Sequence, residues 1–130
     1  MSNVLIIHGT TVAPPDLSYT GDGVAVCTLR VQTTHTRRVA NGDVKEEVTV
    51  FETLIFGAMA EHVSESVLPG DAVVVTGRLR NRTHTEQGAN RAPFSYEVVA
   101  DDVAASVRAG SVIPIRATPH PVRTHIGDDT

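Results

Sequence analysis

Between residues 24 and 34 the chain alternates, with Cys27, Leu29 and Val31 on one side and Thr28, Arg30 and Gln32 on the other. A period of two over this length describes a strand with one buried and one wet face. The other apolar runs are equally short and rich in valine, isoleucine and threonine, and clusters of glycine and proline separate them. That pattern confines the chain to a small barrel or sandwich. With 130 residues, 41% of them hydrophobic, there is material for one core and not for two.

The expected first strand covers residues 3–9 and ends before Pro14-Pro15, which cannot donate to a ladder and belongs in a loop. A turn at Thr20-Gly21-Asp22-Gly23 leads into the alternating second strand. Asn41-Gly42-Asp43, lying between two β-rich runs, predicts a hairpin into a third strand at 46–56. Residues 57–67 break the pattern: Met59, Ala60, Val63 and Val67 recur at helical spacing. Leu68-Pro69-Gly70-Asp71 ends that helix. A fourth strand at 72–82, a polar loop at 83–93 and a fifth strand at 94–103 complete an all-β chain with one short helix between strands three and four. This is the element order of a five-stranded OB barrel. The domain is expected to occupy residues 1–108. Residues 109–130 read as a short tail, either an extra edge strand at an interface, compatible with Pro114, or a disordered end.

Charge points to a ligand only through its distribution. The net charge of −4 argues against a general polyanion binder, because phosphate contacts need cations. Yet ten of the eleven basic residues are arginine, with Lys45 the exception, and arginine offers a planar fork for phosphate and a flat face for bases. Arg78, Arg80 and Arg82 recur at every second residue of the fourth strand, so all three aim at one face. They form either a phosphate-binding line or a solvated face that protects an edge strand. Arg37, Arg38 and Lys45 in one hairpin and Arg91 in another loop would add cations beside them, and Arg30 lies on the wet face of the second strand.

One ordered set of residues begins with Asn3, Ile6, Gly9, Pro15, Tyr19, Gly23, Ala25-Val26 and Thr33. It continues through Phe56-Gly57 with Ala60-Glu61, Gly70-Asp71, Val75-Thr76-Gly77-Arg78-Leu79 with Arg82, and Glu97-Val98-Val99-Ala100. In this order and spacing the chain resembles the bacterial and phage single-stranded-DNA-binding proteins. The similarity covers residues 3–104. It implies an OB fold, sequence-tolerant binding and protection of single-stranded DNA in replication, recombination or repair, and a homo-oligomer, commonly a tetramer whose dimers pair through the first strand. On this chain the implied interface residues are Asn3, Leu5, Ile7 and Phe51.

The family stacks bases on aromatic rings, and the chain has no tryptophan. The family's usual tryptophan positions fall on about Arg37, on Val50 and on His84, while Phe56 keeps a ring. His84 and Arg37 can stack as planar cations or imidazole, but Val50 cannot. Binding is therefore expected to be weaker and more salt-sensitive than in a tryptophan-rich relative. The expected contact set is Arg30, Arg37, Arg38, Lys45, Phe56, Arg78, Arg80, Arg82, His84 and Arg91, with Tyr19, Phe94 and Tyr96 ranked below Phe56. The final residues, Ile126-Gly127-Asp128-Asp129-Thr130, lack the terminal phenylalanine with which the family's acidic tips recruit partners, so that recruitment is not carried over.

Other functions find little in the residues. The lone Cys27 cannot form an internal disulfide or build a thiolate metal site, and it reads as core. His8, His35, His62, His84, His120 and His125 show no metal-ligand spacing, and the glycines do not gather into a phosphate loop. No enzyme, cofactor or metal is expected. No apolar run approaches the roughly 20 residues that span a bilayer, and the first residues lack the pattern of a signal peptide, so the expected location is the cytoplasm. The main alternative is an OB-fold adaptor of the replication machinery with a weakened nucleic-acid grip.

Overall fold

The computed structural model describes residues 3–82 and 96–115. Six strands and one helix follow in the order β1 (Leu5–Thr11), β2 (Asp16–Tyr19), β3 (Ala25–Arg38), β4 (Val44–Phe56), α1 (Ala58–Ser66), β5 (Ala72–Asn81) and β6 (Tyr96–Ala105). The sheet order is β1-β5-β6-β4-β3-β2, and β1 returns to pair with β3, which closes a five-stranded barrel. All pairings are antiparallel except β4 with β6, which is parallel. The expected OB barrel is therefore what forms, with the helix on the connection between β4 and β5.

Two local outcomes differ from the sequence reading. Residues 16–19 lie where a loop was expected, yet they form β2, in which Asp16 faces Thr28 and Tyr19 faces Ala25. The Pro14-Pro15 pair interrupts the barrel's edge without ending it, because β1 and β2 lie in turn along the same strand β3. The β3–β4 hairpin is longer than expected and continues in unbroken register from Val26↔Phe56 to Arg38↔Val44. Residues 109–115, the described part of the expected tail, hold no strand within this chain, and Ile113 and Ile115 are exposed.

The buried face of the alternation fills the barrel. Ile7, Cys27, Leu29, Val31, Ile55, Val73, Val75 and Val98 form one cluster, and Ala60 and Val63 of α1 plug its end. Burial pushes the Cys27 thiol above its ordinary value, in keeping with a core filler rather than a reactive thiolate. Closure demands close backbone approach at two glycines. A Cβ on Gly9 would lie 2.5 Å from the Gln32 carbonyl oxygen and 2.7 Å from a Val31 methyl, and one on Gly77 would collide with the Val99 carbonyl. A bulge in β6, beside the step from Thr76 to Gly77, lets the ladder absorb this crowding. Among the described residues no helix is long and apolar enough to cross a membrane.

Two substitutions test this packing in opposite directions. Gly9→Ala should destabilise the barrel by about 2 kcal/mol or more, because the neighbour that must yield is backbone. Thr53 is fully buried and its hydroxyl finds no partner among the described residues, so Thr53→Val should stabilise by about 1 kcal/mol. Urea unfolding followed by circular dichroism measures both.

Candidate nucleic-acid interface

Strand parity sorts the charged residues into faces. On β3 and β4 the odd-numbered positions from Ala25 to Val31 and from Thr53 to Ile55 point into the barrel. The even-numbered positions, Arg30, Glu52, Leu54 and Phe56 among them, point outward. On β5, Val73, Val75 and Gly77 are buried, so Arg78, Arg80 and Arg82 share the outer face, as expected. Cross-strand register then brings distant segments into one row, with Arg30 opposite Glu52 and Arg80 opposite Glu97.

This row is a continuous charge ladder. Arg30 Nη2 donates to Glu52 Oε2 at 3.1 Å, and Arg82 Nη2 lies 2.9 Å from Glu52 Oε1. Arg82 Nε lies 3.8 Å from Glu97 Oε1, and Arg80 grips Glu97 Oε2 through Nε at 2.9 Å and Nη2 at 2.6 Å. Three arginines against two glutamates leave one net positive charge across the ladder. Its two ends differ physically. Glu97 is 4% exposed, and a carboxylate so far from water needs its cation. Arg30 is 56% exposed against 25% for Glu52, and an exposed pair contributes only about 0–1 kcal/mol.

The arginines do not stand alone on their face: Glu52 and Glu97 share it and hold Arg30, Arg80 and Arg82. The alternative reading of the stripe, as the guard of an open edge, concerns residues 78–82, which lie beyond the end of the pairing with β1. Residues 72–77 of β5 are paired on both sides, with β1 and β6. Beyond them Asn3 blocks the open edge, its side chain accepting from the Leu79 N–H at 2.9 Å and donating to the Leu79 carbonyl at 3.4 Å. Arg78 makes no ion pair among the described residues.

The remaining expected residues divide. Phe56 is 39% exposed on the ladder's face. Arg38 shares that face's parity at the tip of the hairpin arm, opposite Val44, whereas Arg37 and Lys45 face each other on the opposite side. Arg37 is moreover paired with Glu47 at 2.8 Å. His84, Arg91 and Phe94 lie outside the described residues, as do the terminal Asp128 and Asp129. Tyr19 is turned toward α1, where its hydroxyl donates to Glu61 Oε2 at 3.0 Å. That hydrogen bond, together with the carboxylate's charge, raises the Tyr19 pKa. Tyr96, ranked low from sequence, instead lines a shallow hollow of about 330 Å³ with Arg30, Val50, Glu52 and Arg82.

Within the single chain, the residues that the resemblance implies for an interface are mostly turned toward the core. Ile7 is 3% exposed in the core, Leu5 and Phe51 pack against that core, and Asn3 is engaged with Leu79. The side chains at the start of the chain that do face outward are Val4, Ile6 and His8. Among the described residues no group of three or more His, Cys, Asp or Glu is placed to hold a metal.

Comparison with known proteins gives one consistent answer. The model of the single-strand binding protein family matches residues 2–106. Over 102 residues the chain is 32% identical to Single-stranded DNA-binding protein 1 of Xylella fastidiosa, covering 78% of this chain and 74% of that relative. Over 109 residues it is 35% identical to the Single-stranded DNA-binding protein of Corynebacterium glutamicum, covering 82% of this chain but only 47% of that one. Among solved structures, the small single-stranded DNA-binding protein from Streptomyces coelicolor superposes with a TM-score of 0.69 at 20% identity, over 85% of this chain and 98% of that chain. The wild-type single-stranded DNA binding protein from Thermus aquaticus gives a TM-score of 0.69 at 24% identity, over 80% of this chain and 50% of that one. At these identities the two structures speak for the fold.

The two ends of the ladder should separate in stability measurements. Arg80→Ala strips Glu97 of its bidentate partner and should cost about 2 kcal/mol, less than a fully buried pair because Arg80 is part-exposed and Arg82 remains nearby. Arg78→Ala should stay within about 0.5 kcal/mol of the parent. Thermal and urea melts of the two variants side by side check the contrast.

Proposed function

Because the chain belongs to the single-strand binding protein family, we propose that it binds and protects single-stranded DNA, with little sequence preference, along the outer face of β3, β4, β6 and β5. It would act where replication, recombination or repair exposes single strands, in the cytoplasm of its host. The observation that carries this reading is one continuous sheet face that combines an aromatic ring, Phe56, with Arg78 and the ladder's net positive charge, in a chain whose overall charge is −4. Phosphates would meet Arg78, Arg30, Arg82 and, at the arm, Arg38. A base would stack on Phe56, and the hollow beside Tyr96 could receive another. Arg80 serves this reading as a buttress rather than a handhold, since it is committed to Glu97.

Self-association belongs to the same proposal. Among the described residues β1 pairs, away from β5, only at Thr10 and Thr11, which leaves the strand's edge from Leu5 to Gly9 for a second copy. The exposed Val4 and Ile6 and the exposed Ile113 and Ile115 offer apolar surface for such contacts. A tetramer is the form that the family resemblance implies.

The adaptor reading draws support from the glutamates on the arginine face. Fluorescence titration with oligo-dT across a salt series distinguishes the two. The log of affinity should fall with log salt at a slope of about −2 to −3, as expected for three or four phosphate contacts at roughly 0.7 each. Phe56→Ala should weaken binding by about 1–3 kcal/mol while the fold survives. Affinity nearly independent of salt would overturn the phosphate-led account, and a folded protein that ignores oligo-dT would favour the adaptor.

A further inference from the structure

Glu52 is the residue on this face whose role the proposed function does not explain. A carboxylate on a surface meant for a polyanion is an unfavourable neighbour, yet both of its oxygens are engaged, Oε2 by Arg30 at 3.1 Å and Oε1 by Arg82 at 2.9 Å. It therefore engages one guanidinium nitrogen of each of the two arginines that a phosphate in the adjoining hollow would use. Glu97 is different in kind. It is buried, faces Arg80 across the strands and is needed to complete the sheet's packing. Glu52 retains 25% exposure and sits against an arginine that is itself more than half exposed, so the pair can open without leaving a charge out of contact with water.

We infer that Glu52 is an affinity-limiting residue, an internal competitor that holds Arg30 and Arg82 until a phosphate displaces it. The inference rests on the proposed binding of single-stranded DNA along this face. When a strand arrives, the arginines either turn from Glu52 to a phosphate, exposing a bare carboxylate beside the polyanion, or stay paired and deliver only part of their charge. Both routes subtract from affinity, and they do so most at low salt, where unscreened repulsion reaches furthest. A face built this way releases its strand more readily than the arginine count implies. It also withholds its forks from stray anions.

The opposite role is physically reasonable and must be separated from it: Glu52 could orient the two arginines for phosphate, as a preorganising partner. A third role is base readout, since a carboxylate accepts from the exocyclic amine of cytosine, a group that thymine lacks. Glu52→Gln keeps the shape and removes the charge. Glu65→Gln, at an exposed position on α1 outside the ladder, makes the same change in net charge. Both variants and the parent protein are titrated with oligo-dT and oligo-dC from low to moderate salt, with thermal melts to establish that each is folded.

Glu52→Gln should tighten binding to both oligonucleotides by roughly three- to tenfold at low salt. It should also steepen the salt slope by about 0.7, as though one more phosphate were neutralised. Glu65→Gln should change neither by more than a small common factor. Equal tightening by the two variants would reduce the effect to net charge and overturn the inference. Weaker binding by Glu52→Gln would establish preorganisation instead, and a loss confined to oligo-dC would establish base readout. If the glutamine variant melts below the assay temperature, Glu52→Thr, a strand-forming replacement, is judged by the same outcomes. A parent protein that fails to bind either oligonucleotide would refute the proposed function itself, which is a different result from a parent that binds and a variant that binds no tighter.

Discussion

The fold depends on how closely two stretches of backbone can pass. β1 must bridge from β5 to β3 for the sheet to close, and at Gly9 the approach to Gln32 leaves no room for a Cβ. Gly77 meets the same restriction against Val99 at the point where β6 takes up its bulge. With those two contacts made, the alternating valines, leucines and isoleucines have an enclosed interior, and α1 needs only Ala60 and Val63 to seal its end. Apolar burial supplies the driving force. The glycines decide that the sheet curls into a barrel, and so decide which residues become neighbours on its outside.

Those outer neighbours are remote in sequence. Closing the barrel lays β3, β4, β6 and β5 side by side, and the resulting register sets Arg30 beside Glu52 and Arg80 beside Glu97. Cross-strand pairing is therefore what turns a list of arginines into a balanced network. Burial then grades the network, because the same Arg–Glu chemistry is a structural fixture where the carboxylate is dry and a loose association where it is wet. A count of basic residues overstates the positive charge available to a ligand, while the net charge of the whole chain understates it on this face.

Much of the architecture could be read from local pattern. The strict alternation around Leu29, the helical spacing of Ala60 and Val63 and the Pro-Gly stop that follows each express the geometry of their own element, and each formed where expected. β2 was missed because Pro14-Pro15 signals a break in pairing, and only the continuing presence of β3 alongside restores it. The arm's length was underestimated because the threonines and charges of residues 33–49 carry no buried stripe to mark them as strand. Parity correctly put Arg78, Arg80 and Arg82 on one face, but nothing near residue 80 announces that Glu97 will face it, since register is set by closure. The first strand was legible, while the inward turn of Ile7 was not, for the same reason.

The missing tryptophans and the ladder bear on each other. Stacking on an aromatic ring loses little when salt rises, whereas phosphate contacts lose affinity through the counterions they no longer release. Among the described residues Phe56 and Tyr96 are the exposed rings near the arginines, so in the proposed binding the cationic share would be the larger one. The state of each arginine then matters more than it would in a protein with several stacking platforms. An arginine against a wet glutamate, as Arg30 is, can be lent to a phosphate, and one gripped by a dry glutamate, as Arg80 is, cannot. In the proposed binding, the difference between Glu52 and Glu97 would therefore set how much of the cationic contribution a bound strand can draw upon.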